Sequence, residues 1–110
     1  MNPVHSVDSK HPLCGVWIAS DQNETGDYYL AEYCVSVVDG NFQVTGLDKS
    51  HDEKFVISDV SWDGHCLTFK TLMPSTKRRG FMKIRIVDTN QIELEFTFTE
   101  TEIWRRKSKI

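Results

Sequence analysis

The residues in this chain with most chemistry to offer are two tyrosines, a basic triplet and a histidine set among carboxylates. Tyr29, Ala31 and Tyr33 fall on one side of an extended strand, so the two phenols share a face with a small residue between them. Lys77, Arg78 and Arg79 form a basic cluster. A guanidinium fork of that kind suits an anionic head group such as a carboxylate, and a solvated loop accounts for the same triplet. His51, flanked by Asp52 and Glu53, is the acid–base candidate, with an exposed polar loop as its plain alternative. His5, His11 and His65 are scattered without a second ligand at helical or alternating-strand spacing, so neither metal nor haem is expected as a cofactor. Cys14, Cys34 and Cys66 show no metal-like or redox-like spacing and are expected as free thiols, a Cys14–Cys34 disulfide being the lesser alternative. No catalytic signature emerges from these types and spacings.

The 110 residues suffice for one core and leave no room for a second folded unit. Thirteen Lys and Arg against sixteen Asp and Glu give a net charge of -3, the reverse of a phosphate-binding surface, so nucleic acid is not an expected partner. Met1 to Lys10 lack a basic segment followed by an apolar stretch. Neither a signal peptide nor a membrane anchor is therefore expected, and the cytoplasm is the expected location.

Around the chemistry the chain reads as strands, rich in Val, Ile, Phe, Tyr and Thr, over residues 13–19, 28–38, 42–47, 54–61, 65–71, 81–87, 91–98 and 102–107. A turn at Asp39 and Gly40 sets Val37 opposite Phe42, Val35 opposite Val44 and Tyr33 opposite Gly46. A turn at Asp63 and Gly64 sets Val60 against Leu67 and Ser58 against Phe69. Phe55 and Ile57 then fall on the other side from Val56 and Val60, which calls for a bulge or a covered outer face. A turn near Asp88 to Asn90 pairs Ile86 with Ile92, Ile84 with Leu94 and Met82 with Phe96. The same register sets Arg85 against Glu93 and Lys83 against Glu95, hydrocarbon on one face and opposite charges on the other. The last turn, around Thr99 to Thr101, has neither Gly nor Pro.

About eight consecutive antiparallel strands predict a single all-β domain over residues 13–110, an up-and-down β-barrel, with residues 1–12 as an irregular lead-in over its closed end. Tight turns near residues 40, 63 and 89 alternate with longer links at 20–27, 48–53 and 72–80, which gives the barrel one closed end and one mouth. Gly15 and Trp17 open the first strand and Trp104, Arg105 and Arg106 close the last, so a Trp17–Arg105 stack is expected to seal the closed end. The interior set includes Tyr29, Ala31, Tyr33, Val35, Val44 and Gly46 from the first half. Leu67, Phe69, Met82, Ile84, Leu94, Phe96 and Phe98 complete it from the second. An eight-stranded barrel is just wide enough to be filled by side chains or to hold one small ligand.

In its Gly15-x-Trp17 motif on the first strand, its late Arg105 or Arg106 and the order of its turns, the chain resembles the lipocalin-like, or calycin, small barrels. In that group an Arg of the last strand packs over the Trp of the first. The resemblance implies barrel closure by Gly15, Trp17 and Arg105, and a compact member without the long helix of larger relatives. It brings no ligand-specific residues with it.

Three functions follow as expectations. The leading one is a non-enzymatic binding module for a small hydrophobic or amphipathic, carboxylate-bearing molecule, contacted by Tyr29, Tyr33, Phe69, Met82 and Phe96 with Arg78 and Arg79 at the mouth. The second, implied by the resemblance, is an enzyme such as a decarboxylase of small aromatic acids, with Tyr29 or Tyr33 orienting the carboxylate. The third is a packed-core interaction domain without a ligand. A homodimer through Trp62 and Phe42, beside the tight turns, is a further expectation, set against the Glu and Lys residues that discourage edge pairing.

Overall fold

A computed structural model describes residues 7–18, 31–49, 51–99 and 102–109. Seven strands follow one another: β1 (Gly15–Ile18), β2 (Ala31–Val38), β3 (Asn41–Asp48), β4 (Glu53–Trp62), β5 (Leu67–Met73), β6 (Arg78–Asp88) and β7 (Gln91–Thr99). Each pairs antiparallel with the next, in the order β1-β2-β3-β4-β5-β6-β7, and the sheet curls into an open half-barrel. Among the described residues no helix is long and apolar enough to cross a membrane.

The β2–β3 and β6–β7 hairpins adopt the register that their apolar alternation predicts. Val37 faces Phe42, Val35 faces Val44 and Tyr33 faces Gly46 across a turn in which Asp39 and Gly40 take φ of 53° and 79°, the left-handed pair that matches the strand twist. Ile86 faces Ile92, Ile84 faces Leu94 and Met82 faces Phe96, while Arg85 and Glu93 form an ion pair on the outer face. The β4–β5 hairpin differs from expectation at its turn. The Asp63 carboxylate accepts bonds from the backbone N–H groups of His65 (2.8 Å) and Cys66 (2.7 Å), which holds that carboxyl below its usual range and stabilises a four-residue connection. Trp62, rather than Val60, therefore stands opposite Leu67. A bulge between Ser58 and Ser61, with Asp59 at φ 53°, then shifts the pairing and brings Ile57 opposite Thr71. The bulge turns Glu53, Phe55 and Ile57 toward the concave face and leaves Val56 and Val60 exposed on the convex one.

The barrel is not closed. The segment 102–109 is exposed and carries no strand, so the eighth strand expected at 102–107 is not formed there. The chain after Thr99 offers no residue suited to the positive φ of a tight hairpin loop, which is a physical reason for it not to fold back. No contact joins β1 to β7, and no cation–π contact links Trp17 to Arg105 among the described residues. Trp17 instead donates its Nε1–H to the Leu13 carbonyl at 2.8 Å. Among the described residues no strand covers β7 on its far side, and the concave residues Leu94 and Phe98 are 41% and 50% exposed.

The core lies under the tight-turn end. Leu13, Leu67, Phe69, Met82 and Ile84 are fully or almost fully buried, with Tyr33, Val35, Phe42 and Val44 beside them. Residues 7–14 cap this end: Val7 N–H reaches the Gly40 carbonyl at 2.9 Å, and the His11 ring packs edge-on against Phe42 and Trp62, each at 5.1 Å. Phe42 is thereby buried and Trp62 half-buried. Cys14, Cys34 and Cys66 are free thiols. Burial, helped by the charge of Asp8 and by Cys34, pushes the Cys14 thiol up.

Candidate functional site

The candidate site is a cleft at the other end of the half-barrel, where the β3–β4 connection meets the β5–β6 turn. The latter is tighter than the link expected at 72–80. Met73 and Arg78 pair directly, the Lys77 N–H reaches the Met73 carbonyl at 2.7 Å, and Lys77 takes φ 60°. Because β5 and β6 extend to Met73 and Arg78, the alternation that buries Phe69 and Met82 also aims Thr71, Met73 and Arg78 at the concave face. On the facing side, Asp48 ends the row of Val44 and Gly46, and Glu53 begins the row of Phe55 and Ile57.

These rows enclose a cavity of about 190 Å³, with Phe55, Met73 and Phe96 as its apolar walls and Asp48, His51, Glu53 and Arg78 as its charged or titratable rim. That is below the usual range for drug-sized ligands, roughly 300–1,000 Å³, and matches a small molecule. Two hydrogen bonds shape the rim. His51 Nδ1 lies 3.1 Å from the Asp48 carboxylate, which is largely covered while the imidazole is exposed. Ser75 Oγ donates to Glu53 Oε1 at 2.7 Å, tying the β5–β6 turn to the start of β4 across 22 residues of chain. Arg78 places its guanidinium 4.8 Å from the centre of the Phe98 ring, and Phe98 stacks on Phe96 at 5.6 Å. A cation and two aromatic faces therefore stand in sequence along one side of the cleft.

Beneath the cleft, aromatic rings pack over the concave face of the sheet. Two glycines admit large rings: Gly46 lies under Tyr33 and Phe55, which stack at 5.7 Å, and Gly80 lies under Phe96. Tyr33, Phe69 and Met82, expected as ligand contacts, are buried core residues and do not line the cleft. Phe96 and Arg78 do line it. Arg79 projects to the opposite, convex face, one residue out of phase with Arg78, so the expected two-arginine fork is reduced to one guanidinium. Tyr29 lies outside the described residues. Gly15 and Trp17 sit on β1, and Arg105 is exposed outside the sheet.

The acidic side of the cleft was present in the sequence as the stretch Asp48 to Glu53, but Phe55, Thr71, Met73 and Ser75 were not assigned to a site. The phase of β4 depends on the bulge at Asp59, and a loop over 72–80 would end the inward row of β5 before Met73. Pro74 directly after Met73 was the available signal for a turn starting there. Comparisons of the chain with protein-family models, with curated proteins and with solved structures return no match.

Proposed function

We propose that this protein is a non-enzymatic binding module that takes a small amphipathic molecule in the cleft at the loop end of the half-barrel. The observation that carries the reading is the join of an apolar wall to a charged rim in one small cavity: Phe55, Met73 and Phe96 against Asp48, Glu53 and Arg78. An apolar body desolvates against the wall while the rim orients the head. A purely anionic head would meet one guanidinium and two carboxylates. The better match is a head that offers a donor, such as an ammonium or hydroxyl, to Asp48 and Glu53 and an acceptor, such as a carboxylate, to Arg78. A carboxylate on the ligand would thus meet Arg78 alone, with a donor group beside it for the two carboxylates.

Native mass spectrometry of the protein as purified from its own cells, before and after denaturing extraction, tests this. A reproducible extra mass of a small molecule, lost on Arg78→Ala substitution in a folded variant, is the expected result. A bare chain mass under conditions shown to retain weak ligands, together with no response to a panel of small aromatic amines, acids and amino acids, would overturn it.

A further inference from the structure

The half-barrel ends in an open edge and the chain ends in a segment with no place in the sheet, and the two are complementary. We propose that residues 102–109 of one copy add as an antiparallel strand to the outer edge of β7 of a second copy, reciprocally, to form a strand-exchanged dimer.

Among the described residues no strand lies against the outer edge of β7, which is nine residues long. Such an edge is a template for another strand unless it is guarded. The guards on β7 are Glu93 and Glu95 on its convex face, which repel a second acidic edge but attract a basic strand. Residues 102–109 are such a strand: Arg105, Arg106, Lys107 and Lys109 follow Ile103 and Trp104, which are 90% and 86% exposed. Eight extended residues span about 27 Å, the reach needed to cover β7.

One register pairs the charges of the convex face and brings Trp104 to the concave one. Setting Glu95 opposite Arg105 puts Glu93 opposite Lys107 and Phe96 opposite Trp104. On the convex face the outer strands already show Lys83 beside Glu95 and Arg85 beside Glu93. The added strand extends these into rows of alternating sign, Lys83-Glu95-Arg105 and Arg85-Glu93-Lys107. On the concave face it lays Trp104 along Met82 and Phe96 and sets the side-chain stems of Arg106 and Glu102 beside Leu94 and Phe98, which are large apolar residues left exposed.

A second copy, rather than the chain's own tail, is the occupant because of the hinge. Folding back in this register would require a three-residue loop of Thr99, Glu100 and Thr101. Such loops need a residue in the left-handed region, and β-branched threonines resist it. Running on into a partner requires no tight turn, and two-fold symmetry then uses the same edge and the same arm twice.

The test is a charge-swap complementation on the full chain, read by analytical ultracentrifugation. The wild-type protein is expected as a dimer at micromolar concentration. The double variant Glu93→Lys, Glu95→Lys and the separate double variant Arg105→Glu, Lys107→Glu each place like charges in both interfaces and are expected to weaken dimerisation by about tenfold or more. Mixed one to one, they are expected to form a heterodimer of restored stability, since each edge then meets an arm of opposite sign. Far-ultraviolet circular dichroism of each variant alone controls for folding. A wild-type monomer, a dimer insensitive to both reversals, or failure of the mixture of folded variants to associate would each overturn the proposal. Ligand binding at the cleft is read separately, by mass.

Discussion

The Phe96 ring occupies the space that a side chain at Gly80 would need: a methyl group there would collide with the ring and lie 2.6 Å from the Thr71 hydroxyl. Phe96 is at once a wall of the cleft and the cover of a strand that has been narrowed to receive it. Gly80→Ala is therefore expected to cost about 1–3 kcal/mol and to push Phe96 out of its place in the cleft wall. Chemical denaturation reads the first effect. Loss of ligand retention, larger than the stability change alone accounts for, reads the second.

Gly46 makes the contrasting case. Its Cβ would stand 2.7 and 2.9 Å from atoms of the Tyr33 ring and 3.0 Å from Phe55. Tyr33 is held between Phe55 and Phe69 in the core and has no open edge to move toward. Gly46→Ala is expected to cost at least as much as Gly80→Ala, roughly 1–3 kcal/mol, and the additional substitution Phe55→Ala is not expected to recover it. A neutral Gly46→Ala variant in urea denaturation would show that the ring packing is misplaced.

Burial holds the His11 imidazole below its ordinary value, and its Nδ1 accepts the Leu13 N–H at 3.1 Å, a bond that protonation at that nitrogen would remove. The unfolded chain then binds the proton more readily than the folded one. The resulting stability is fully present above the unfolded value of about 6.5 and is lost as pH falls from there through the lower folded value. Melting temperature is expected to fall between pH 7.5 and 5.5, and the His11→Phe variant is expected to lose much of that dependence. An unchanged slope in the variant would assign the acid sensitivity elsewhere.

The β2–β3 turn supplies a sharper test of register. Gly40 sits at φ 79° after Asp39 at φ 53°. Gly40→Ala is expected to destabilise by about 1–2 kcal/mol, the penalty of a left-handed conformation for an L-residue. Asp39→Asn, which keeps a side chain that tolerates this region, is expected to be near neutral. A pair of variants with equal effects would argue against this turn.

What the sequence made legible, and what it did not, follows from where the information sits. In the β2–β3 and β6–β7 hairpins a two-residue period and a recognisable turn specify one another, so Tyr33 opposite Gly46 and Arg85 opposite Glu93 could be read residue by residue. In β4 the side-chain phase changes at Asp59, and a bulge moves every residue beyond it to the other face. The pattern alone suggested the bulge without giving its place. Closure was a long-range matter: Gly15, Trp17 and Arg105 have suitable types, but whether first and last strands meet depends on the whole curvature of the sheet and on the chain after Thr99. Half of the candidate cleft was legible, Arg78 and Phe96 from their types and the acidic stretch from its loop. Its other half required knowing that β5 runs on to Met73.

Ligand is expected at the loop-end cleft and not among the buried residues Leu67, Phe69 and Met82. The most direct measurement is an amide proton–nitrogen correlation spectrum of the full chain titrated with phenylalanine, phenethylamine and phenylacetate, three amphipaths that separate the donor and acceptor parts of the head. Saturable shifts are expected at Asp48, His51, Glu53, Thr71, Ser75, Arg78 and Phe96, largest for the ligand carrying both groups, with loss of those shifts in Arg78→Ala. Shifts centred on Leu67, Phe69 and Met82, or the absence of any saturable shift, would contradict it.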